Sequence, residues 1–468
     1  MTASPTAPSA AARLDRLPIA RFHLVTLVAV SFAYFFEFAD INTFAVTAPR
    51  LLKLWGVTID QVAYVTSTSF VGMFLGSIGA GALADRAGRR PALTFTVVFF
   101  GVFSLASVFS WDVVSLGVFR FLTSAGLAAM TVVAVIYISE IFPAARRGKY
   151  QAYAIAIGIC GTPATNLIAS FVVPLSDWSW RLVYLWGALG LFFVFFLRHI
   201  KESPKWLENR GEHERADAVL REIEQSVAAE KGPLPEPAAE PATPHPTAQD
   251  PSGDADQDAG APWWRVLLRR RVLLPTLLLC VLWVTQTVGF FGYSSWAPTL
   301  LAKQGFSVEN SIFYVALTTI GAPLGCLLAA AVTDRFERKW CLAVFGTVIG
   351  VCGLLYGLTF DPVLIVVFGF LVNLVERGYT ALAYAYSPEL FDTRTRSLGT
   401  GISYGVGRLS NAAGPLIIAA LYTGSGYASV FVFIAAMWIV GAIAVALFGP
   451  RTRQRRVTPT PSPTPAAT

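Results

Sequence analysis

Apolar runs of about 18 to 25 residues recur along the chain, set apart by short breaks of charged residues, proline and glycine. Each run can cross roughly 30 Å of hydrocarbon as an α-helix. None alternates apolar and polar positions as barrel strands do, and lipid offers no water to an open backbone, so strands are set aside. The runs predict spans near 22–49, 61–84, 92–110, 113–139, 151–173, 180–198, 272–300, 309–333, 340–359, 361–386, 398–422 and 427–449. The fold class is all-α, with 12 transmembrane helices.

Two motifs repeat at one offset. Asp85-Arg86-Ala87-Gly88-Arg89-Arg90 recurs as Asp334-Arg335-Phe336-Glu337-Arg338-Lys339, and 334 − 85 = 249. Tyr137-Ile138-Ser139-Glu140-Ile141-Phe142 recurs as Tyr386-Ser387-Pro388-Glu389-Leu390-Phe391, and 389 − 140 = 249. The trailing Arg147 recurs as Arg396 at the same spacing. Parallel repeats of this kind build two pseudo-symmetric six-helix halves with a midplane site between them. The expected organisation is a tail over 1–21, a first half over 22–200, a linker over 201–264, a second half over 265–450 and a tail over 451–468. The linker opens with an amphipathic stretch around Leu220 and Ile223, then becomes a Pro/Ala/Asp-rich run from Pro233 to Pro262 that cannot bury a core.

Composition sharpens this. The 468 residues are 54% hydrophobic and 14% charged, with a mean hydropathy of +0.57; the apolar surplus must face a lipid bilayer. The net charge of +7 does not point to nucleic acid, because of where it sits. With a cytoplasmic N-terminus, the short inner loops hold eleven basic residues (Arg86, Arg89, Arg90, Arg146, Arg147, Lys149, Arg335, Arg338, Lys339, Arg394, Arg396) and the outer side four (Arg50, Lys53, Arg181, Lys303). That bias places both termini in the cytoplasm. The first run is too long for a cleaved leader, so a plasma or bacterial inner membrane is expected. Arg451, Arg453, Arg455 and Arg456 in the tail can touch anionic headgroups. Five scattered Cys and four scattered His draw neither a disulfide framework, a metal site nor a catalytic cluster, so no cofactor is expected.

The motifs carry a resemblance. Gly81-Ala-Leu83-Ala-Asp85-Arg86-Ala-Gly88-Arg89-Arg90 resembles the major facilitator signature GxLaDrxGrR. Arg120, Gly126 and the Tyr137-to-Gly148 stretch resemble the fourth-helix pattern of sugar porters and aromatic-acid:proton symporters, and Glu202-Ser203-Pro204-Lys205-Trp206-Leu207 resembles their PESPRWL motif. The resemblance implies a cytoplasmic gate in which Glu140 and Glu389 pair with motif arginines, drawn from Asp85, Arg86, Arg89, Arg90, Glu140, Arg147, Asp334, Arg335, Arg338, Glu389 and Arg396. A carboxylate at a helix end among guanidiniums forms a lock that one conformation makes and another breaks. Thr285-Gln286 replaces the sugar porters' QQ pair, Gly449-Pro450-Arg451-Thr452 replaces their PETKG, and the drug-antiporter GPxxGG is absent, which favours symport over efflux. Glu37-Phe38-Ala39-Asp40 stands where aromatic-acid symporters carry DGxD, while Gly407-Arg408…Gly414-Pro415 and Gly292-Tyr293…Trp296-Ala-Pro298 resemble metabolite symporters and organic-ion transporters.

Six ionisable side chains fall inside spans: Glu37, Asp40, Arg120, Glu376, Arg377 and Arg408. Each costs about 2.5 to 3.5 kcal/mol at a helix centre, so each should face a partner or a wet cavity. Asp40 lies roughly 12 Å and Arg120 roughly 10 Å below the outer surface, which allows an acid–arginine couple from Glu37, Asp40 and Arg120. Such a couple suits proton coupling: a nearby guanidinium favours the ionised carboxylate, and its departure favours the protonated one. A static structural pair is the alternative. Glu376 and Arg408 lie near the midplane, and Arg377 points about 100° away from Glu376. Arg408 or Arg377 can fork a substrate carboxylate, or Glu376 can simply pair with Arg408. Gln286, Tyr293, Trp296 and other aromatics are candidate lining residues.

The sequence reads as a secondary transporter, not an enzyme, that imports a small organic acid with H⁺ by alternating access and acts as a monomer. A sugar or polyol symporter, an organic-cation carrier using Glu37, Asp40 and Glu376, and a non-transporting receptor on the same scaffold remain alternatives.

Overall fold

The computed structural model describes residues 8–196, 199–237, 263–332, 336–392 and 395–451. Ten helical stretches among them are long and apolar enough to cross a membrane. The shorter Arg181–Phe196 and the Gly- and Ser-rich Arg396–Ser425 complete twelve crossings. Local chemistry sets their ends. Thr58 and Gln61 form a capping box that opens the second crossing, Asp112 and Ser115 one that opens the fourth, and Ser307 caps the eighth. Gly88, at φ +96°, supplies the left-handed turn between the second and third crossings, Ile59–Ala87 and Arg89–Val108.

The 249-residue offset is visible as geometry. A Cβ on Gly72 or Gly76 of the second crossing would drive into the carbonyls of Phe121 and Ala125, and one on Gly321 or Gly325 of the eighth into those of Phe370 and Leu374. Each of the four pairs is one repeat apart (321 − 72 = 249; 370 − 121 = 249; 325 − 76 = 249; 374 − 125 = 249). Small residues let these helix backbones touch, since in lipid packing must do what the hydrophobic effect does in water. Pro49 and Pro298 stand at matching places (298 − 49 = 249), Pro49 inside the helix Thr43–Leu54 that ends the first crossing and Pro298 in the first turn of the helix Ala297–Lys303 that ends the seventh.

The halves meet toward the face opposite the basic loops. There Phe70 packs edge-on against Phe291 at 5.0 Å, and Asn166 Nδ2 reaches Thr319 Oγ1 at 3.4 Å. Toward the basic face, Gly79 and Gly81 on the second crossing and Gly401 and Gly405 on the eleventh look into open space. The cleft between the halves thus opens on the basic face and is closed on the far one.

Residues 10–21, expected as a tail, are ordered in part. Ala10–Asp15 is a helix packed on the linker helix His213–Lys231. Leu14, Leu17 and Ala20 bury themselves against Leu220, Ile223 and Val227, and Arg13 forks Glu224 (2.7 and 3.0 Å) while also holding Asp217 (2.6 Å). The Pro-rich part of the linker beyond residue 237 lies outside the described residues.

Candidate functional site

The first crossing, Arg21–Leu54, breaks at Asn42, just after Asp40. The break exposes the Asp40 backbone carbonyl, which accepts from Arg120 Nη2 (3.1 Å) and Thr43 Oγ1 (2.8 Å). The Asp40 carboxylate takes Arg120 Nη1 on Oδ2 at 2.9 Å and the Ser104 hydroxyl on Oδ1 at 2.9 Å. Asp40 is 0% and Arg120 1% exposed. Gly187 makes room, because a Cβ there would strike Asp40 Oδ1. Arg120 also borders a small cavity lined both by polar side chains (Asn42, Thr66, Ser69, Ser124, Ser295) and by apolar ones, and Phe291 and Ser295 bring the opposite half into its surroundings. A buried, hydrogen-bonded pair of this kind is costly to break on one side only, about 3–5 kcal/mol.

Glu37 does not join that couple, as the sequence allowed it to. Three residues earlier on the helix, it receives the Thr131 hydroxyl, and Arg120 is taken up by Asp40. The other Glu37 oxygen, Oε2, is buried without a hydrogen-bond partner among the described residues. Nor does Glu376 pair with Arg408. Its Oε1 accepts from Gln286 Nε2 (3.0 Å) and Thr380 Oγ1 (2.7 Å), and its Oε2 lies 3.1 Å from Nε of the adjacent Arg377. Neighbours on a helix point about 100° apart, so this ion pair is close without being aligned: Arg377 Nε and Glu376 Oε2 lack a hydrogen-bond partner among the described residues. The Arg377 guanidinium lies over the Phe290 ring at 4.8 Å. Arg408 gives Nε and Nη2 to the Tyr404 hydroxyl (3.0 and 2.7 Å), which Tyr384 also reaches at 2.7 Å.

Gln286 is therefore in the polar cluster, whereas Tyr293 and Trp296 are in packing. Tyr293 meets Tyr356 edge-on at 5.0 Å, and both Tyr293 and Trp296 belong to the closed apolar core of the far side.

At the basic face Arg89 gathers the gate. It binds Glu140 through Nε (3.0 Å) and Nη2 (2.8 Å), and Asp85 and the Ala84 carbonyl through Nη1 (3.1 and 2.9 Å). One repeat later Arg338 binds Glu389, and 338 − 89 equals 389 − 140. Asp334 and Arg335 lie outside the described residues. Arg86, Arg90, Arg147 and Arg396 are exposed. Arg86 offers its carbonyl to Arg210 (2.6 Å), and the Arg90 amide is held by Glu202 (3.2 Å).

Sequence reasoning missed Ser104, Thr131, Thr380 and the role of Glu202, whose carboxylate also takes the Arg89 amide at 2.8 Å. The repeat held the signal for two of these. At the 249 offset Gln286 stands on Glu37 and Thr380 on Thr131, and Gln286 donates to Thr380 (3.1 Å) as Thr131 donates to Glu37. By contrast Asp40 and Arg120 map to Gly289 and Gly369, and Arg408 maps to Ile159. The tight acid–arginine couple belongs to the first half and the arginine-bearing wall to the second.

A family model described as sugar (and other) transporter matches residues 25–459. The chain is 44% identical over 451 residues to "Putative metabolite transport protein YyaJ" of Bacillus subtilis (strain 168), covering 96% of this chain and 97% of that one. It is 28% identical to the niacin transporter NiaP of Acinetobacter baylyi (94% and 97% covered). It is 27% identical to the 4-hydroxybenzoate transporter PcaK of the same organism (94% and 93%). Among solved structures, the partially occluded inward-open xylose transporter XylE from E. coli superposes with a TM-score of 0.72 at 17% identity, covering 92% of this chain and 99% of that one; this likeness speaks for the fold.

Proposed function

This chain belongs to the sugar (and other) transporter family of multi-pass membrane transporters, and from that premise we propose that it imports a small organic acid together with H⁺, with the basic face toward the cytoplasm. The observation that carries the reading is the division of labour across the cleft. One half holds a fully buried Asp40–Arg120 pair, and the other presents Arg408 and Arg377 without any aligned carboxylate partner.

Alternating access supplies the rest. Arg120 shares a cavity with residues of the opposite half, so rocking of the halves changes what surrounds it. An aspartate that keeps its arginine in one state and loses it in the other holds a proton in only one of them. The guanidiniums of Arg408 and Arg377 match a carboxylate by charge and by fork geometry. Two relatives named for niacin and 4-hydroxybenzoate, both aromatic acids, support that choice.

A sugar symporter is the second reading, favoured by the family's name and the XylE likeness. A neutral sugar, however, offers no carboxylate for the Arg408 guanidinium to fork. Uptake into proteoliposomes under an inward pH gradient decides between them. 4-Hydroxybenzoate or niacin should accumulate and xylose should not; accumulation of xylose alone would overturn the acid reading.

A further inference from the structure

We infer that the small cavity beside Arg120 binds water, and that this water bridges Arg120 to Ser295 of the opposite half, so that the closed far face is held by a polar link as well as by apolar packing. The link serves whatever solute is carried and whether or not Asp40 couples it to protons.

A guanidinium has five N–H donors. Arg120 uses Nη1 on Asp40 Oδ2 and Nη2 on the Asp40 carbonyl, while Nε is buried without a hydrogen-bond partner among the described residues. In a side chain only 1% exposed, a donor left in this way bears its full desolvation penalty, so an acceptor belongs beside it.

The cavity has the room and the partners for one. It leaves the centre of a water molecule about 30 Å³, where roughly 10–15 Å³ is enough for one water with two to four polar partners. Asn42 lies at the break of the first crossing, Ser124 one turn after Arg120 on the fourth, and Ser295 at the break of the seventh. None of these three side chains is hydrogen-bonded to another group among the described residues. Thr66 and Ser69 give their hydroxyl protons to the Val62 and Val65 carbonyls, both at 2.8 Å, and keep lone pairs for a water's hydrogens. The apolar part of the wall includes Met73 and the Phe70–Phe291 contact of the seal.

Charge selects a neutral acceptor over a small anion. The Arg120 charge is already met by Asp40 at 2.9 Å, and a halide would place a second negative charge beside that carboxylate, away from solvent. The repeat shows that the site is particular to the first half. Arg120 maps to Gly369 (369 − 120 = 249), and there even a Cβ would strike the Thr318 and Tyr293 side chains, so protein fills the corresponding space.

Among the described polar residues lining the cavity, Ser295 alone comes from the second half. While the far face is closed, the bridge ties Arg120 to that half. When the halves part there, Ser295 withdraws and the cavity opens to solution.

Two measurements on the purified full-length protein in nanodiscs test this. The first is X-ray hydroxyl-radical footprinting, in which a bound water yields its radical in place and oxidises a neighbouring thioether. Met73 lines the cavity and is 7% exposed, and Met130, 0% exposed in the core of the first half, is the internal reference. Wild-type Met73 should oxidise at least about tenfold faster than Met130, and Ser124→Val, which fills the cavity, should bring it down to the Met130 rate. Equal rates in wild type mean a dry cavity, and an undiminished Met73 rate in Ser124→Val means that bulk water reaches it; either overturns the inference. The second is amide exchange over residues 297–303. Ser295→Ala should speed it about fivefold, roughly the worth of one hydrogen bond, and Ser295→Thr should restore it. Exchange unchanged in Ser295→Ala overturns the bridge.

Discussion

Gln286 stands one repeat after Glu37, and both side chains share a hydrogen bond with a threonine at matching positions, Thr380 and Thr131. The scaffold on the two sides of the cleft is the same; the chemistry is not. An ionisable group faces the cleft in one half where an amide does in the other, and Arg408 sits on the amide's side. Each expectation below follows from that asymmetry or from the contacts that frame it.

Arg408 should carry most of the substrate's charge recognition. Arg408→Gln should weaken binding of the acid at least tenfold, roughly the worth of one charge-assisted pair at about 1.4 kcal/mol. The methyl ester of the same acid should bind wild type poorly and lose little more in the variant. Competition binding to purified protein checks both, and an equal loss for acid and ester would argue for a packing role.

The gate is expected to depend on Glu140 more than on Asp85. Arg89 binds Glu140 through two nitrogens, while Asp85 receives one longer contact and is largely exposed. Glu140→Gln should lower the uptake rate at least tenfold with normal membrane insertion, and Asp85→Asn should cost less, since an exposed pair contributes little. Rates for both variants, normalised to protein in the membrane, check the order.

The N-terminal strap should release in acid. Burial pushes the Glu224 carboxyl up, but hydrogen bonds from Arg13 and Arg16 more than offset this and hold it below its ordinary 4.5; Arg13 in turn is raised by the same pairing. A depressed carboxyl stabilises above its ordinary value and loses that stabilisation as pH falls through the depressed one. The strap should therefore hold at neutral pH and loosen once the pH falls below 4.5, the ordinary value that the Glu224 carboxyl sits beneath. Arg13→Ala should loosen it at neutral pH, read as at least about tenfold faster amide exchange over residues 10–20.

These contacts mark the limit of what was legible in the sequence. The twelve crossings follow from run length, which lipid imposes on any helix that spans it, and the two halves from the shared offset of the motifs. That Glu140 and Glu389 meet motif arginines followed from the resemblance to the major facilitator signature; that the partners are Arg89 and Arg338 is seen only in the structure. Which acid meets which arginine was not legible. Glu37 and Asp40 are three residues apart on one face, and only the helix break at Asn42, with the room left by Gly187, decides that Arg120 goes to Asp40. The strap was hidden because its partners, Arg13 and Glu224, lie 211 residues apart with no periodic signal linking them.

The central claim is that Asp40, through Arg120, ties transport to the proton gradient. Asp40→Asn fixes that position in a neutral, proton-bound-like form, so a driving pH gradient has nothing to act on there, whereas exchange of internal for external substrate needs no net proton movement. Proteoliposomes holding wild type or Asp40→Asn, given radiolabelled 4-hydroxybenzoate with an imposed pH gradient and, separately, under counterflow, measure this directly. Wild type should concentrate the acid, and Asp40→Asn should equilibrate it without concentrating it while keeping counterflow. An Asp40→Asn variant that still concentrates substrate as wild type does would contradict the account.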